Sequence, residues 1–424
     1  MRKIFIVLFI LTIFSGSLFA QDIKFNAQVR YRAEFDKNGG SFNSANFQNA
    51  VAGNNFELFR TRLGMIMDSG NGITGYIQFQ DSRNFGEEYS TLTDATANSF
   101  DLHQGFIHIE NIFDSNFYLK LGRMELILGN ERLVGAVGWS NTGRAFDGAL
   151  LCYHGEDYNF KFFQTKIREN TPSEDFDPDE YFTGAWYSYT HNEIRKINLF
   201  SFMNFDNGRV VGGVDDNERQ LMRFTTGFDY TANHDRFDYE VEAAYQMGKE
   251  YKIVVDSRQD VAAYMFAAKA HYKFDHEKNP YIGLGVDYLS GDDNSTDSDL
   301  NTFNTLYATN HKYYGYMDYF TNIPSSTFGY GLRDIFVTGG LTLNENAKIK
   351  AGWHYFNFAS EDYNGNSYLG NELDITYMHN YRDTIGMQFG GSFFLPGDVP
   401  KMVDNNDKAG WWYYAMLTYN FNQN

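Results

Sequence analysis

The stretch IKFNAQVRYRAEFD, residues 23–36, alternates without a break. Ile23, Phe25, Ala27, Val29, Tyr31, Ala33 and Phe35 fall on one side of an extended chain; Lys24, Asn26, Gln28, Arg30, Arg32, Glu34 and Asp36 fall on the other. Successive strand side chains point to opposite faces, whereas a helix would scatter both classes around its circumference. The segment therefore reads as a strand with one apolar and one strongly charged face. The same period returns in DRFDYEVEAAYQM (235–247) and GWWYYAMLTYNF (410–421).

Extending this reading along the chain gives eighteen strands: 23–36, 55–69, 72–83, 100–113, 116–126, 144–154, 157–169, 180–191, 194–206, 219–231, 235–247, 261–275, 279–290, 330–343, 346–358, 370–380, 383–395 and 410–422. Segments 100–113 and 157–169 alternate poorly. The connections alternate in length. Gly70-Asn71, Asp114-Ser115, Gly155-Glu156 and Asn344 to Asn346 are short, whereas 37–54, 84–99, 127–143, 207–218, 248–260 and 291–329 are long. Placing every long loop at one end is the pattern of an outer-membrane barrel. An all-β, antiparallel transmembrane barrel is the expected fold class, one domain over residues 21–424.

Composition agrees. The chain carries 31 tyrosines, 40 phenylalanines and 39 glycines but only 6 prolines, as expected of a closed sheet with aromatic girdles. Mean hydropathy is −0.47, and no later apolar run reaches the ~20 residues of a spanning helix. MRKIFIVLFILTIFSGSLFA (1–20) has a basic start, an apolar centre and a small-residue exit, the form of a cleaved signal peptide. A formal net charge of −19 argues against a nucleic-acid partner. The lone Cys152 excludes an intrachain disulfide framework.

Lipid decides which face points inward. A Lys or Arg at mid-bilayer costs ~2–4 kcal/mol, so the charged faces line the lumen. An even strand number returns both termini to the periplasmic side. By strict parity Arg123 shares the outward face of Phe117, Leu119 and Leu121; the strand is expected to leave the bilayer or to bulge at Gly122, turning Arg123 toward the lumen.

The arrangement L-x-L-G-R-x-E-L (119–126), then G-x-x-R-L-x-G (129–135), then W-S-N-x-G-R-x-F-D-G (139–148) resembles the alginate-export family of outer-membrane barrels. Ser290-Gly291-Asp292, FNTLYATNHKYYGYMDYF (303–320) and Gly370 to Asp374 are similar too. The resemblance implies a monomeric eighteen-stranded channel whose basic lumen passes an anionic polysaccharide such as alginate. The terminal Tyr419-Asn420-Phe421 resembles the signal read by barrel-insertion machinery in the outer membrane of a diderm bacterium.

The candidate basic track comprises Arg30, Arg32, Arg60, Arg62, Arg123, Arg132, Arg144, Arg219 and Arg223. A planar guanidinium grips carboxylates and stays charged at any relevant pH. The alternative is that lumenal carboxylates neutralise these arginines. In SGDDNSTDSDLN (290–301), Asp292, Asp293, Asp297 and Asp299 are calcium candidates, with a solvated acidic loop as the plainer reading. No cofactor is implied. His103, His108, His271, His354 and His379 sit in no nucleophile or metalloprotease motif, which argues against an enzyme. The rivals to an exporter are a porin-like uptake channel for small polar solutes and a surface adhesin with a filled barrel.

Overall fold

The computed structural model describes residues 22–37, 54–86, 100–169, 179–192, 194–206, 209–211, 214–216, 220–252, 257–294, 297–360, 365–404 and 408–422. The expected signal peptide lies outside them, as does Arg219. Eighteen long strands form the wall: β1 (22–37), β2 (54–68), β3 (73–84), β4 (100–109), β5 (117–124), β6 (146–154), β7 (158–168), β8 (180–191), β9 (195–206), β10 (221–234), β11 (237–252), β12 (257–273), β13 (281–289), β14 (332–344), β15 (347–357), β16 (368–381), β17 (385–396) and β18 (410–422). Each pairs antiparallel with its chain neighbours, and β1 closes the ring on β18, with Asn26 opposite Asn422 and Lys37 opposite Trp411. Closure satisfies every ladder, the condition for a sheet to cross a bilayer.

The outward face is an apolar belt. Leu63, Ile107, Leu284, Tyr264 and Leu395 are among many large side chains exposed there. Such a surface is intolerable in water and suited to lipid. No helix among the described residues is long and apolar enough to cross a membrane; the strands do so.

Two expected boundaries move. β4 stops at Ile109, because Asn111, Phe113 and Asp114 adopt positive φ around a short 3-10 turn at Ile112–Asp114. Apolar Ile112 and Phe113 suggested more strand, yet Phe113 sits in this turn 97% exposed. The connection expected over 248–260 is shorter, since β11 and β12 keep pairing as far as Lys252 opposite Ser257.

The bulge falls beside its expected place. β5 runs in unbroken register, with Gly122 opposite Gly148 on one side and Phe106 on the other. At φ +131° Gly122 adopts a backbone only glycine tolerates, and a Cβ there would lie 2.2 Å from the Gly105 carbonyl oxygen. The register shift is instead in β4, where His103 is the extra residue between Gln104 and Leu102.

Candidate lumenal constriction

Two long loops turn back into the barrel. The first, residues 125–145, carries Leu126, Leu128, Leu133, Val134 and Ala136, all buried. Leu126, Leu128, Leu133 and Val134 join one apolar cluster with Leu150, Phe163, Phe182, Trp186, Phe200 and Phe202 on the lumenal side of β6–β9. Burying each such side chain stabilises the docked loop by about 1.5–3 kcal/mol. This explains why 157–169 alternates poorly: past Lys161 its lumenal face turns apolar at Phe163, which meets the loop, while Tyr158, Phe160 and Phe162 face lipid.

Polar anchors fix the same loop to opposite walls. Asn130 Nδ2 donates to Glu240 (2.9 Å) and Glu242 (3.0 Å) of β11. The buried Arg132 guanidinium donates to Glu242 (3.0 Å) and to Asp287 of β13 (2.8 Å), and lies 4.0 Å from the Tyr313 ring centre. Burial opposes its charge, but Asp287, Tyr314, Tyr313 and Glu242 outweigh that and hold its pKa well above the usual value. A few residues on, the carbonyls of Gly138, Trp139 and Ser140 accept from Arg30, Arg32 and Arg60, and those of Asn141 and Thr142 from Ser82 and Gln80. β2 and β11 stand diametrically opposite in the ring, so the loop is a crossbar over the lumen.

The second loop, between β13 and β14, buries Phe303, Met317, Tyr319, Phe320 and Ile323 against the opposite lumenal wall, where Phe356 and Phe394 await them. Its Met317 amide donates to Glu372 of β16 (2.8 Å). The two loops are knit along Val134 and Tyr307: Tyr307 N donates to the Leu133 carbonyl, Gly135 N to that of Tyr307, and Thr309 N to that of Glu131. Trp139 is clamped between the Arg32 guanidinium, 3.9 Å from its ring centre, and the His311 ring stacked at 4.2 Å. The pair of loops partitions the lumen.

The candidate arginines divide accordingly. Arg30, Arg32, Arg60 and Arg62 come together on the lumenal faces of β1 and β2, where they hold the crossbar; Arg62 reaches Gln80 (2.7 Å) and Glu125 (3.2 Å). Arg144 donates to the carbonyls of Gly135, Tyr307 and Ala308. Arg223 pairs with Glu250. Arg123 corrects the expectation: with no bulge in β5 it keeps outward parity, its side chain 38% exposed, and pairs with Asp147 (2.7 Å) at the long-loop end. Among the calcium candidates, the Asp292 and Asp297 carboxylates accept the amides of Asn294 and Asp299. No group of three or more His, Cys, Asp or Glu residues that could hold a metal occurs among the described residues.

A different set of cations stands in the lumen below the partition, toward the short-turn end. Lys120, Lys161 and Lys196 rise from β5, β7 and β9, close enough to repel one another, and Lys348 and Lys350 from β15. Lys120, Lys161, Lys348 and Lys350 have no ion-pair partner among the described residues, while Lys196 acts on Asp229. Across from the lysines of β5–β9, Glu240, Glu242, Asp287, Asp334, Glu372 and Asp374 form an acidic arc on β11, β13, β14 and β16. The sequence does carry the signal for these lysines: each lies on the inward parity of its strand.

The family model described as alginate export matches residues 21–409. No curated protein matches the chain. Among solved structures, OccK3 (OpdO) of Pseudomonas aeruginosa superposes with a TM-score of 0.62 at 12% identity over 97% of this chain and 99% of its own. OccK8 (OprE) of the same organism gives 0.60 at 12%, over 96% and 100%. A BenF-like porin from Pseudomonas fluorescens Pf-5 gives 0.57 at 11%, over 96% and 100%. At these identities the likeness is one of fold.

Proposed function

The chain belongs to the alginate export family, and from that premise we propose that this outer-membrane channel passes an anionic saccharide. The observation that carries the reading is the set of lumenal lysines Lys120, Lys161, Lys348 and Lys350, which have no ion-pair partner among the described residues; Lys196 beside them acts on Asp229. Uncompensated charge in a low-dielectric channel raises the local concentration of the opposite ion. The arginines support the same reading indirectly, by building the crossbar that narrows the route. The short-turn end and both termini face the periplasm in this reading, so the lysines meet solute arriving from inside the cell. The chain acts as a monomer, loses residues 1–20 on export, and enters the membrane through its last strand. It serves as a conduit, and no catalytic step is assigned to it.

Reversal potentials in planar bilayers test this. We expect anion preference, falling at least several-fold in permeability ratio in the triple variant Lys120→Gln, Lys161→Gln, Lys196→Gln. Cation preference in the unaltered channel overturns the reading. A second reading, uptake of small polar solutes, draws on the partition itself, since two interlocked loops across the lumen favour short solutes over a polymer. Polymer-exclusion measurements of pore radius separate the two.

A further inference from the structure

Two carboxylates face each other in the lumenal wall. Asp287 of β13 and Asp334 of β14 are direct register partners, and both line a cavity of about 230 Å³ under the Tyr313–Tyr316 segment. Asp287 gives one oxygen to Arg132 (2.8 Å) and Asp334 gives one to His354 Nδ1 (2.8 Å). The second oxygen of each, Oδ1, accepts no hydrogen bond from the described residues, although the two residues are 2% and 0% exposed. A buried charged acceptor without a donor is costly, and like charges directly opposite across a ladder add repulsion.

The chain's own cations do not relieve this pair. Lys269 and Lys312 line the same cavity but are paired with Glu240 and Glu131. Lys350 stands four residues from His354 along β15, about 13 Å toward the short-turn end. Glu242, Asp287, Asp334 and Asp374 share only Arg132 and His354, so negative charge exceeds positive even with His354 protonated.

Aromatic rings bound the space in front of the two free oxygens. Phe336 and Gly285 are register partners one inward position below the carboxylates, and a Cβ on Gly285 would lie 2.2 Å from the Phe336 ring. The ring therefore spans both strands directly beneath the pair. Tyr314 and Tyr316 lie in the roof. Ring faces attract cations. No three residues that could ligate a metal converge among the described residues, so the free oxygens call for N–H donors on a cation.

We propose that Asp287 and Asp334 bind the ammonium group of a small primary amine, which donates one N–H to each Oδ1 and packs its alkyl part between Phe336 and the tyrosine roof. A primary ammonium carries three such donors. The cavity is smaller than the roughly 300–1,000 Å³ of drug-sized sites, which sets the ligand as a short alkylamine. The site goes beyond the anionic-solute reading and does not depend on it.

Equilibrium titration of the purified barrel in detergent at pH 8, at constant ionic strength, with propylammonium, tetramethylammonium and magnesium chlorides tests the site. Propylammonium is expected to bind with a Kd on the order of 1 mM, and tetramethylammonium, which has no N–H, at least tenfold more weakly. Asp334→Asn should weaken propylammonium at least tenfold and Phe336→Leu several-fold. Asp238→Asn removes a lumenal carboxylate of β11, paired with Lys273, that does not line the cavity, and should change nothing. Heat-dependent gel migration verifies that each variant folds. Equal binding of propylammonium and tetramethylammonium, or equal losses from Asp238→Asn and Asp334→Asn, would mean a diffuse negative field and overturn the proposal. Displacement of propylammonium by an equal concentration of magnesium would make this a metal site, and no binding at all would leave the oxygens to water or protons; either result overturns it too. Cation preference in planar bilayers sinks the channel reading and leaves this site standing.

Discussion

Arg30 and Arg60 stand directly opposite each other on β1 and β2, and both point their guanidinium protons at the same two carbonyls, those of Gly138 and Ser140. Two like charges side by side would repel; a shared row of loop carbonyls turns that liability into a clamp. Hydrogen bonds from charged donors contribute about 1.5–3 kcal/mol each. The double variant Arg30→Ala, Arg60→Ala should therefore free the crossbar. Single-channel recordings should show larger and noisier conductance, and protease should cut within 136–143. Altered selectivity at unchanged conductance would return these arginines to a direct role in the solute path.

Arg132 anchors the other end of the crossbar. Replacing it with alanine leaves Asp287 and Glu242 buried without a cation, a loss of about 3–5 kcal/mol. We expect the urea midpoint of Arg132→Ala to fall and the loop to become cleavable. Adding Asp287→Asn and Glu242→Gln removes the stranded charges and should recover much of the midpoint. An unchanged midpoint in Arg132→Ala would mean that the loop docks by its leucines alone.

How far the sequence carried this architecture depends on what each strand face touches. IKFNAQVRYRAEFD was legible because one face meets lipid and the other meets polar loop backbone and water. Phe163, Phe182 and Phe202 were not, because an inserted loop gives their lumenal side an apolar partner, and a strand buried on both faces loses its period of two. The eighteen strands emerged all the same, since turn spacing persisted where alternation failed. The lumenal arginines are legible, but their work is not: nothing local in Arg30 or Arg60 states that Gly138, 108 and 78 residues further along the chain, will return to meet them. Arg123 was misplaced for a related reason. Parity speaks correctly for the outward face; the cost of a mid-bilayer charge does not apply, because Arg123 stands at the long-loop end of β5, paired with Asp147 directly opposite.

That pairing gives a control. Arg123 and Asp147 form an exposed bidentate pair (2.7 Å for each contact), and exposed pairs contribute about 0–1 kcal/mol. Arg123→Ala should shift neither the urea midpoint measurably nor the reversal potential. A change in ion preference would put Arg123 on the solute path after all.

Acid should open the partition through Glu125, which leads into the crossbar. Its carboxylate accepts from His103 Nε2 (2.8 Å) and from Arg62 (3.2 Å). Burial acts to raise its pKa, but the His103 hydrogen bond and the charges of Arg62 and Arg60 outweigh it and hold the group below the usual glutamate range. A depressed carboxylate contributes its stability in full above its unfolded pKa, about 4.3, and loses it as pH falls through the lower folded value. Conductance should therefore be flat from neutral pH down to about pH 5 and rise only below about pH 4. On protonation the carboxyl loses its charge while Arg62 and Arg60 keep theirs, so the base of the loop is pushed from the wall. Glu125→Gln should already show the acid-state conductance at neutral pH and lose the step. A rise centred near pH 6 in the unaltered channel, or a step that survives Glu125→Gln, would assign the transition to another group.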